Sequence, residues 1–349
     1  MSEEPFDPAT VYRWSLAPED RARLPYYDKL VDALAGSEVA CDLLVETRPE
    51  QRNPMLVLAA LRLGALRGDE VLAPLYAGIG VLAPDDFASR VVARLEARPQ
   101  LVRGELHRAT QTNEPGRSAV TAAVLRELVA RGVTDIHPID VGTSMGLNLY
   151  PDRYRVNVDD PSDPTVLTMD DLNGNVRDGP LPSIHQRIGI DLNPLDPNEP
   201  EDVLWLEACL WPEEPHRLAR FKAILERAKH WPEATRLEGR ATALIDEVVA
   251  SCPPAATPVI FHSWVAAYFP VEEQVRWRQQ AMRHVANGAV WVYLEYPPLV
   301  AGLRPPKGRS ERAREGGSQI VVAEPGAEPR AWGWAHPHGR WIALAPDDD

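Results

Sequence analysis

Residues 136–146 read Ile136-His137-Pro138-Ile139-Asp140-Val141-Gly142-Thr143-Ser144-Met145-Gly146, a short apolar run that ends in an acid and opens into a loop bracketed by two glycines. The run predicts a buried strand. An acid at the end of a strand, followed by a glycine loop, is how open α/β sheets hold a nucleotide or nucleoside. Glycine permits positive φ and close backbone approach, and a following helix offers unpaired N–H groups. The spacing is G-x-x-x-G and not the G-x-G-x-x-G of the dinucleotide fingerprint, which favours an uncharged nucleoside portion over a pyrophosphate. The same letters spell G-x-S-x-G, the nucleophile elbow of the α/β-hydrolases. That alternative makes Ser144 a nucleophile, with His336 or His338 downstream to complete the chain order. Against it, Pro151 limits the following helix to about one turn, and the upstream H-G-G-G-type oxyanion segment is missing. A tight structural turn is the remaining reading. Pro138 stands in tension with a central strand, because it removes an N–H from the ladder.

Downstream of this stretch the apolar runs stay short: Ile188 to Leu192, Pro258 to His262, Ala289 to Tyr296 and Ile320 to Ala323. Helical patterns lie between several of them, at Pro215 to Lys229, Ala241 to Ala250 and Val271 to Val285. Alternating strands and helices predict a Rossmann-like α/β unit, a parallel sheet with helices on both faces. Trp341 to Leu344 is expected to pair with Ile320 to Ala323 as an antiparallel finish. The polar stretch Asn157 to Gln186 exceeds an ordinary turn and reads as a lid or small insertion. Gly302 to Gly317, rich in Pro, Gly, Arg and Ser, reads as a mobile loop.

Upstream the pattern is helical. Asp85 reads as an N-cap for a helix carrying Phe87, Val91 and Leu95 on one face. Pro54 suits a first helical turn, with Gly64 and Gly68 bracketing the end of that helix. Ser118 to Arg131 puts Val120, Val124, Leu125 and Leu128 on one stripe that Gly132 can close. The expected organisation is an all-helical N-terminal cap or bundle over 1–130 and an α/β domain over 131–349.

The 349 residues carry 51 acidic and 37 basic side chains, a formal net charge of -14, which disfavours a broad nucleic-acid-binding surface. Three scattered cysteines suit neither a disulfide scaffold nor a thiolate metal site, and no metal is expected. The N-terminus lacks the basic start and apolar core of a secretion signal, and no apolar run reaches membrane-spanning length. The expectation is a soluble, cytoplasmic protein acting on a small molecule, with its oligomeric state open.

Several motifs in fixed order point further. They are Thr112-Asn113-Glu114-Pro115-Gly116-Arg117, then Asp140 to Leu149, then Asp152-Arg153-Tyr154. Further along come Arg187-Ile188-Gly189-Ile190-Asp191 with Pro194-Leu195-Asp196, Trp205-Leu206 with Trp211-Pro212-Glu213, Phe261-His262-Ser263, and His338-Gly339. Together they resemble the family called domain of unknown function 2332, over nearly the whole chain. That family looks like a divergent class I S-adenosylmethionine-dependent methyltransferase fold with a helical N-terminal region. The resemblance implies that S-adenosylmethionine is the cofactor, held by Asp140, Gly142, Thr143, Ser144, Gly146, Asn148 and Asp191. In that fold the loop approaches the methionine portion, Asp140 orients its amino group, and Asp191, at the end of the second strand, accepts from ribose hydroxyls. Ser144 departs from the usual middle glycine.

Other polar residues complete the expected site. His262 emerges at the end of a later strand and is the expected group for proton removal or orientation, with Ser263 beside it. Glu114 and Arg117 are expected to act with it, Arg117 through its planar donor fork on a carboxylate or phosphate. Asn113, Arg153, Tyr154, Ser263, Glu295 and Tyr296 are the expected substrate contacts. Structural readings stand beside these: Asn113 as a helix cap and His262 as a satisfied strand-end histidine. The expected activity is methylation of a small molecule. Hydrolysis through Ser144 and non-catalytic binding of S-adenosylmethionine or a nucleoside are the alternatives.

Overall fold

The computed structural model describes residues 6–16, 18–158, 160, 162–296 and 316–345. The chain divides into two compact units, Met1–Thr112 with Pro197–Ala219, and Asn113–Asp196 with Arg220–Asp349.

The first unit is helical. Pro8–Arg13, Pro25–Ala35, Pro54–Leu66 and Pro84–Ala97 each begin with proline, whose missing N–H has no intrahelical partner to lose. Asn53 caps Pro54–Leu66 by accepting from the Met55 N–H at 2.9 Å. That helix runs past Gly64, and Gly68, at φ +82°, follows its end. In Pro84–Ala97 the cap position belongs to Ala83, and Asp85 lies inside the first turn, where it meets the positive end of the helix. Phe87, Val91 and Leu95 are fully buried, as their spacing requires.

Helix Pro200–Cys209 and the Trp211 segment belong to this unit. The Trp205 indole donates to the Ala109 carbonyl at 3.0 Å. Trp211 is flanked by the guanidinium groups of Arg23 and Arg217, at 5.4 and 5.8 Å. Glu213 accepts the Tyr26 and Tyr27 N–H groups at the start of Pro25–Ala35. The Trp-Leu and Trp-Pro-Glu motifs are therefore internal fastenings of the helical unit.

Among the described residues the second unit is built on ten strands: β1 (Asp135–Val141), β2 (Asp170–Asp171), β3 (Ser183–Ile184), β4 (Ile188–Asp191), β5 (Thr235–Glu238), β6 (Thr257–Ser263), β7 (Val290–Glu295), β8 (Ser318–Ala323), β9 (Arg330–Ala335) and β10 (Trp341–Leu344). Among the described residues they form one mixed sheet in the order β2-β10-β9-β8-β7-β6-β1-β4-β5, with β3 also paired to β1. From β5 to β7 the neighbours are parallel, and β8, β9 and β10 follow antiparallel. Helix Arg117–Ala130 packs on one face against Ile136, Val259, Phe261 and Val292. Helices Ala241–Ser251 and Val271–Ala286 pack on the other, against Ile139, Val141, Ile260 and Trp291. Period-two alternation along each strand supplies both faces with apolar side chains.

Three features differ from the sequence reading. The two units do not divide at 130/131, because helix Arg117–Ala130 buries its apolar stripe against the sheet and 197–219 returns to the helical unit. Strand β10 pairs with β9 and not with β8, since Arg330–Ala335 intervenes. The stretch Asn157 to Gln186 supplies β2 and β3, which pair with β10 and β1, and so joins the sheet. Of Gly302 to Gly317, residues 302–315 lie outside the described residues.

Pro138 is accommodated by a break in its neighbour. Strand β1 pairs with β3 at Asp135 and Ile136 and with β4 from Ile139 onward. The Ile136 carbonyl and the Gly142 N–H both bond on that side, so alternation turns Pro138 toward it as well. Its absent N–H thus falls opposite the gap between β3 and β4, where no ladder bond is lost. Among the described residues, no helix is long and apolar enough to cross a membrane.

Candidate functional site

The strand order reverses at β1: β4 and β5 follow on one side, β6 and β7 on the other. In open α/β sheets this switch point, at the carboxyl ends of the strands, is where a ligand crevice forms. The loop Gly142–Gly146 emerges there. Gly142 and Gly146 hold φ of +75° and +83°, and Ser144 holds +53° without being glycine. Gly146 has no heavy atom within 3.4 Å of where its Cβ would stand, so conformation alone demands glycine there. Gly142 answers to close packing as well: its Cβ would lie 2.3 Å from Val265 Cγ2.

The loop is clamped on several sides. Gly142 and Thr143 donate to the Ile190 carbonyl at 2.8 and 3.3 Å. Asn113 donates from Nδ2 to the Thr143 carbonyl at 3.3 Å and accepts from the Leu147 N–H at 2.9 Å. Asp191 accepts from the Ser144 N–H at 2.8 Å and from the Asn193 N–H at 2.9 Å. Ser118 donates to Asn148 Oδ1 at 2.9 Å, and the Tyr154 hydroxyl donates to the Leu147 carbonyl at 3.0 Å. Gly189 lets Thr143 press onto β4, for a Cβ there would meet the Thr143 side chain at 2.5 Å. Asn113 and Asp191, expected as ligand contacts, bond to the loop, Tyr154 bonds to Leu147 just after it, and Asn148 is held by Ser118.

Asp140, one residue before the end of β1, is nearly buried, and burial pushes its carboxyl up to about 7. The Thr143 hydroxyl opposes the rise, the Asp191 charge adds to it, and the Arg117 charge opposes it. Near neutrality this carboxyl can therefore donate or accept a proton. Ser144 Oγ is buried and, among the described residues, has no hydrogen-bond partner. Among the described residues no histidine is engaged with it, so the base a nucleophilic serine requires is not in hydrogen-bonding position.

A second group of expected residues gathers at the end of β6. Arg117 Nη1 donates to the carbonyl and hydroxyl of Ser263, both at 3.1 Å, and Nε donates to the Pro337 carbonyl at 2.8 Å. Glu114 accepts from the Gly116 N–H at 3.1 Å and lies 3.8 Å from His338 Nδ1. His262 is buried, with Nδ1 2.6 Å from Glu295 Oε1 and Nε2 accepting from the Trp277 indole at 3.2 Å. Both ring nitrogens are engaged. To remove a proton from a bound molecule His262 must first give up a partner, because its Nδ1–H is donated to Glu295 and its Nε2 lone pair is taken by Trp277. Arg153 is exposed and pairs with Asp152 at 3.2 Å. Tyr296 is half exposed, its ring 6.3 Å from Trp264. Among the described residues no group of three or more His, Cys, Asp or Glu is placed to hold a metal ion.

The sequence reading passed over three contributors. Arg187, nearly buried, forms a bidentate pair with Asp152 at 2.9 and 2.8 Å, donates to the Leu149 carbonyl at 2.6 Å and lies over the Tyr150 ring. Trp277 and Val265 complete the surroundings of His262 and Gly142. Arg187 heads a motif that the sequence displays, whereas nothing local in sequence marks Trp277 or Val265.

A mixed α/β sheet with a glycine loop at its switch point defines a Rossmann-like unit, here with an all-helical N-terminal region before it. The chain belongs to the family of uncharacterised proteins conserved in bacteria, domain of unknown function 2332, which matches residues 10–343. No curated protein matches the chain. Among solved structures there is a distant likeness to a Listeria monocytogenes protein provisionally assigned as a class I S-adenosylmethionine-dependent methyltransferase. The two are 12% identical, with a TM-score of 0.30, over 85% of this chain and 92% of that one.

Proposed function

We propose that the α/β unit binds S-adenosylmethionine at the Gly142–Gly146 loop and methylates a small molecule. The observation that carries this reading is the position of the loop, after the acid Asp140 and at the reversal of strand order between β4 and β6. Ser144 Oγ supports it, since a buried hydroxyl without a partner calls for one from a bound molecule. The cofactor supplies a methyl carbon made electrophilic by a positive sulfonium. This chain's share is orientation and exclusion of water. Asp140, at the mouth of the loop, accepts from the ligand's amino group and orients it. Asp191 stands at the end of β4 for a ribose. Arg117 and Ser263, bonded to each other at the end of β6, are the groups assigned to the acceptor side. Hydrolysis through Ser144 is less well supported, because the serine lacks a histidine partner.

Calorimetry with S-adenosylmethionine and S-adenosylhomocysteine tests the proposal. Binding that is lost in folded Asp191→Ala and Gly142→Arg variants is the expected result. No binding of either compound by the folded, ligand-free protein overturns it. Binding without turnover over a broad acceptor screen would instead leave a non-catalytic cofactor-binding protein.

A further inference from the structure

The segment Ser263–Ala266, which follows β6, is fixed residue by residue. Arg117 holds both oxygens of Ser263. Trp264, at φ +58°, donates its N–H to the Leu294 carbonyl at 3.0 Å and its indole N–H to Ser318 Oγ at 2.7 Å. Val265 and Ala266 both donate their N–H groups to Glu295 Oε1, at 3.0 and 3.2 Å. That same oxygen meets Nδ1 of His262. Because Nε2 of His262 accepts from Trp277, the ring proton sits on Nδ1 and is donated to Glu295. Three N–H donors thus converge on one buried carboxylate oxygen, with no Lys or Arg paired to it among the described residues. The sequence of contacts ends on the glycine loop, since Val265 Cγ2 fills the space where a Gly142 Cβ would stand.

We propose that Glu295 is a positioning residue for the glycine loop. By gathering His262 Nδ1–H and the amides of Val265 and Ala266, its Oε1 holds the Val265 side chain against Gly142 and fixes the conformation in which the loop meets its ligand. A left-handed Trp264 is sparsely populated by itself and persists only where its surroundings over-determine it. The Leu294 carbonyl and Ser318 hold Trp264 itself, Glu295 holds the two residues that follow it, and His262 links Glu295 to Trp277 and the helix Val271–Ala286. The contact of Val265 with Gly142 then makes the order of one loop depend on the other. The proposal rests on the reading of the glycine loop as a ligand site, but its central contact is observable without a ligand.

The test is amide hydrogen exchange on the ligand-free protein, with imidazole 15N spectra of His262. Glu295→Ala is expected to speed exchange at least about tenfold both at Val265–Ala266 and at Gly142–Gly146, with the β8 amides unchanged. It also removes the Nδ1-protonated signature of His262. Glu295→Gln keeps an accepting Oε1 and is expected to restore that signature and bring both exchange rates within about threefold of wild type. Val265→Ala is expected to speed exchange at Gly142–Gly146 while leaving Val265–Ala266 protected. Glu295→Ala that loosens Val265–Ala266 yet leaves Gly142–Gly146 at wild-type rates overturns the proposal, as does Val265→Ala without effect on the glycine loop. Should Glu295→Ala fail to fold, Val265→Ala decides. S-adenosylhomocysteine calorimetry on the same proteins separates the two readings. If wild type does not bind, the cofactor assignment fails and the exchange result still stands.

Discussion

Gly116 and Gly339 lie at opposite ends of the α/β unit's sequence and touch backbone to backbone. A Cβ on Gly116 would stand 2.2 Å from the His338 carbonyl oxygen, and one on Gly339 would stand 2.0 Å from the carbonyl oxygen of Gly116. The start of helix Arg117–Ala130 is thereby pressed onto the turn between β9 and β10. Arg117 reinforces the junction by donating to the Pro337 carbonyl.

Substitution at this crossing is expected to be costly. Gly116→Ala meets only the steric conflict and should lose about 2–3 kcal/mol. Gly339→Ala adds a positive φ of +69° and should lose more. Gly132→Ala, at φ +95° with open space around it, is the control and should lose only about 1 kcal/mol. Urea midpoints at constant m rank the three.

Asn113 offers the loop one donor and one acceptor from a buried position. Asn113→Ala leaves the Leu147 N–H and the Thr143 carbonyl without that partner, and should cost about 1–3 kcal/mol. Asn113→Asp keeps the acceptor but sets a carboxylate against the Thr143 carbonyl, so it should be at least as damaging. Denaturation curves of both variants check the order, and S-adenosylhomocysteine affinity should fall with them.

Asp140 gives stability a distinctive pH dependence. Its carboxyl is pushed up to about 7 from an ordinary 3.8, so the folded protein holds a proton that the unfolded chain releases earlier. Stability from this group is complete below about pH 4, falls as pH rises toward 7 and levels off above, by a few kcal/mol. Asp140→Asn should remove that slope. The difference between wild-type and variant unfolding free energies, measured from pH 4 to pH 8, is the readout. A constant difference would contradict the assignment. Asp69, held down to about 2 chiefly by Arg94, slopes the opposite way and at lower pH, its contribution disappearing as pH falls from about 4 to about 2.

Ser144→Ala removes a hydroxyl that has no partner, so unfolding stability should stay level or rise by about 1 kcal/mol. Ser144→Gly should also relieve the positive φ. A fluorophosphonate probe is expected to leave the wild-type protein unlabelled. Labelling abolished by Ser144→Ala would revive the hydrolase reading.

Much of this is legible in the sequence. The run Ile136 to Val141 and the loop after it marked a strand and its turn, because both faces of a central parallel strand must be apolar and the turn needs glycine. Strand β9 was missed although Ala331-Trp332-Gly333-Trp334-Ala335 alternates, and β5, Thr235–Glu238, carries too little apolar character to announce an edge strand. At the site, the residue types were legible and their partners were not. Asn113 reads as a helix cap or a ligand contact, and only the approach of Thr143 and Leu147 makes it a loop clamp.

The division follows from the range of the forces involved. Periodicity, proline at helix starts and glycine at positive φ act within a few residues, so the sequence by itself determined the α/β class, the helical region before it and the glycine loop after β1. The insertion of β9 between β8 and β10, the gap in the neighbouring strand that admits Pro138, the crossing of Gly116 with Gly339, and the convergence of His262, Val265 and Ala266 on Glu295 join residues distant in the chain. Only tertiary structure decided these, because each depends on burial that brings donors, acceptors and backbones together, and burial belongs to the whole sheet and not to any one segment.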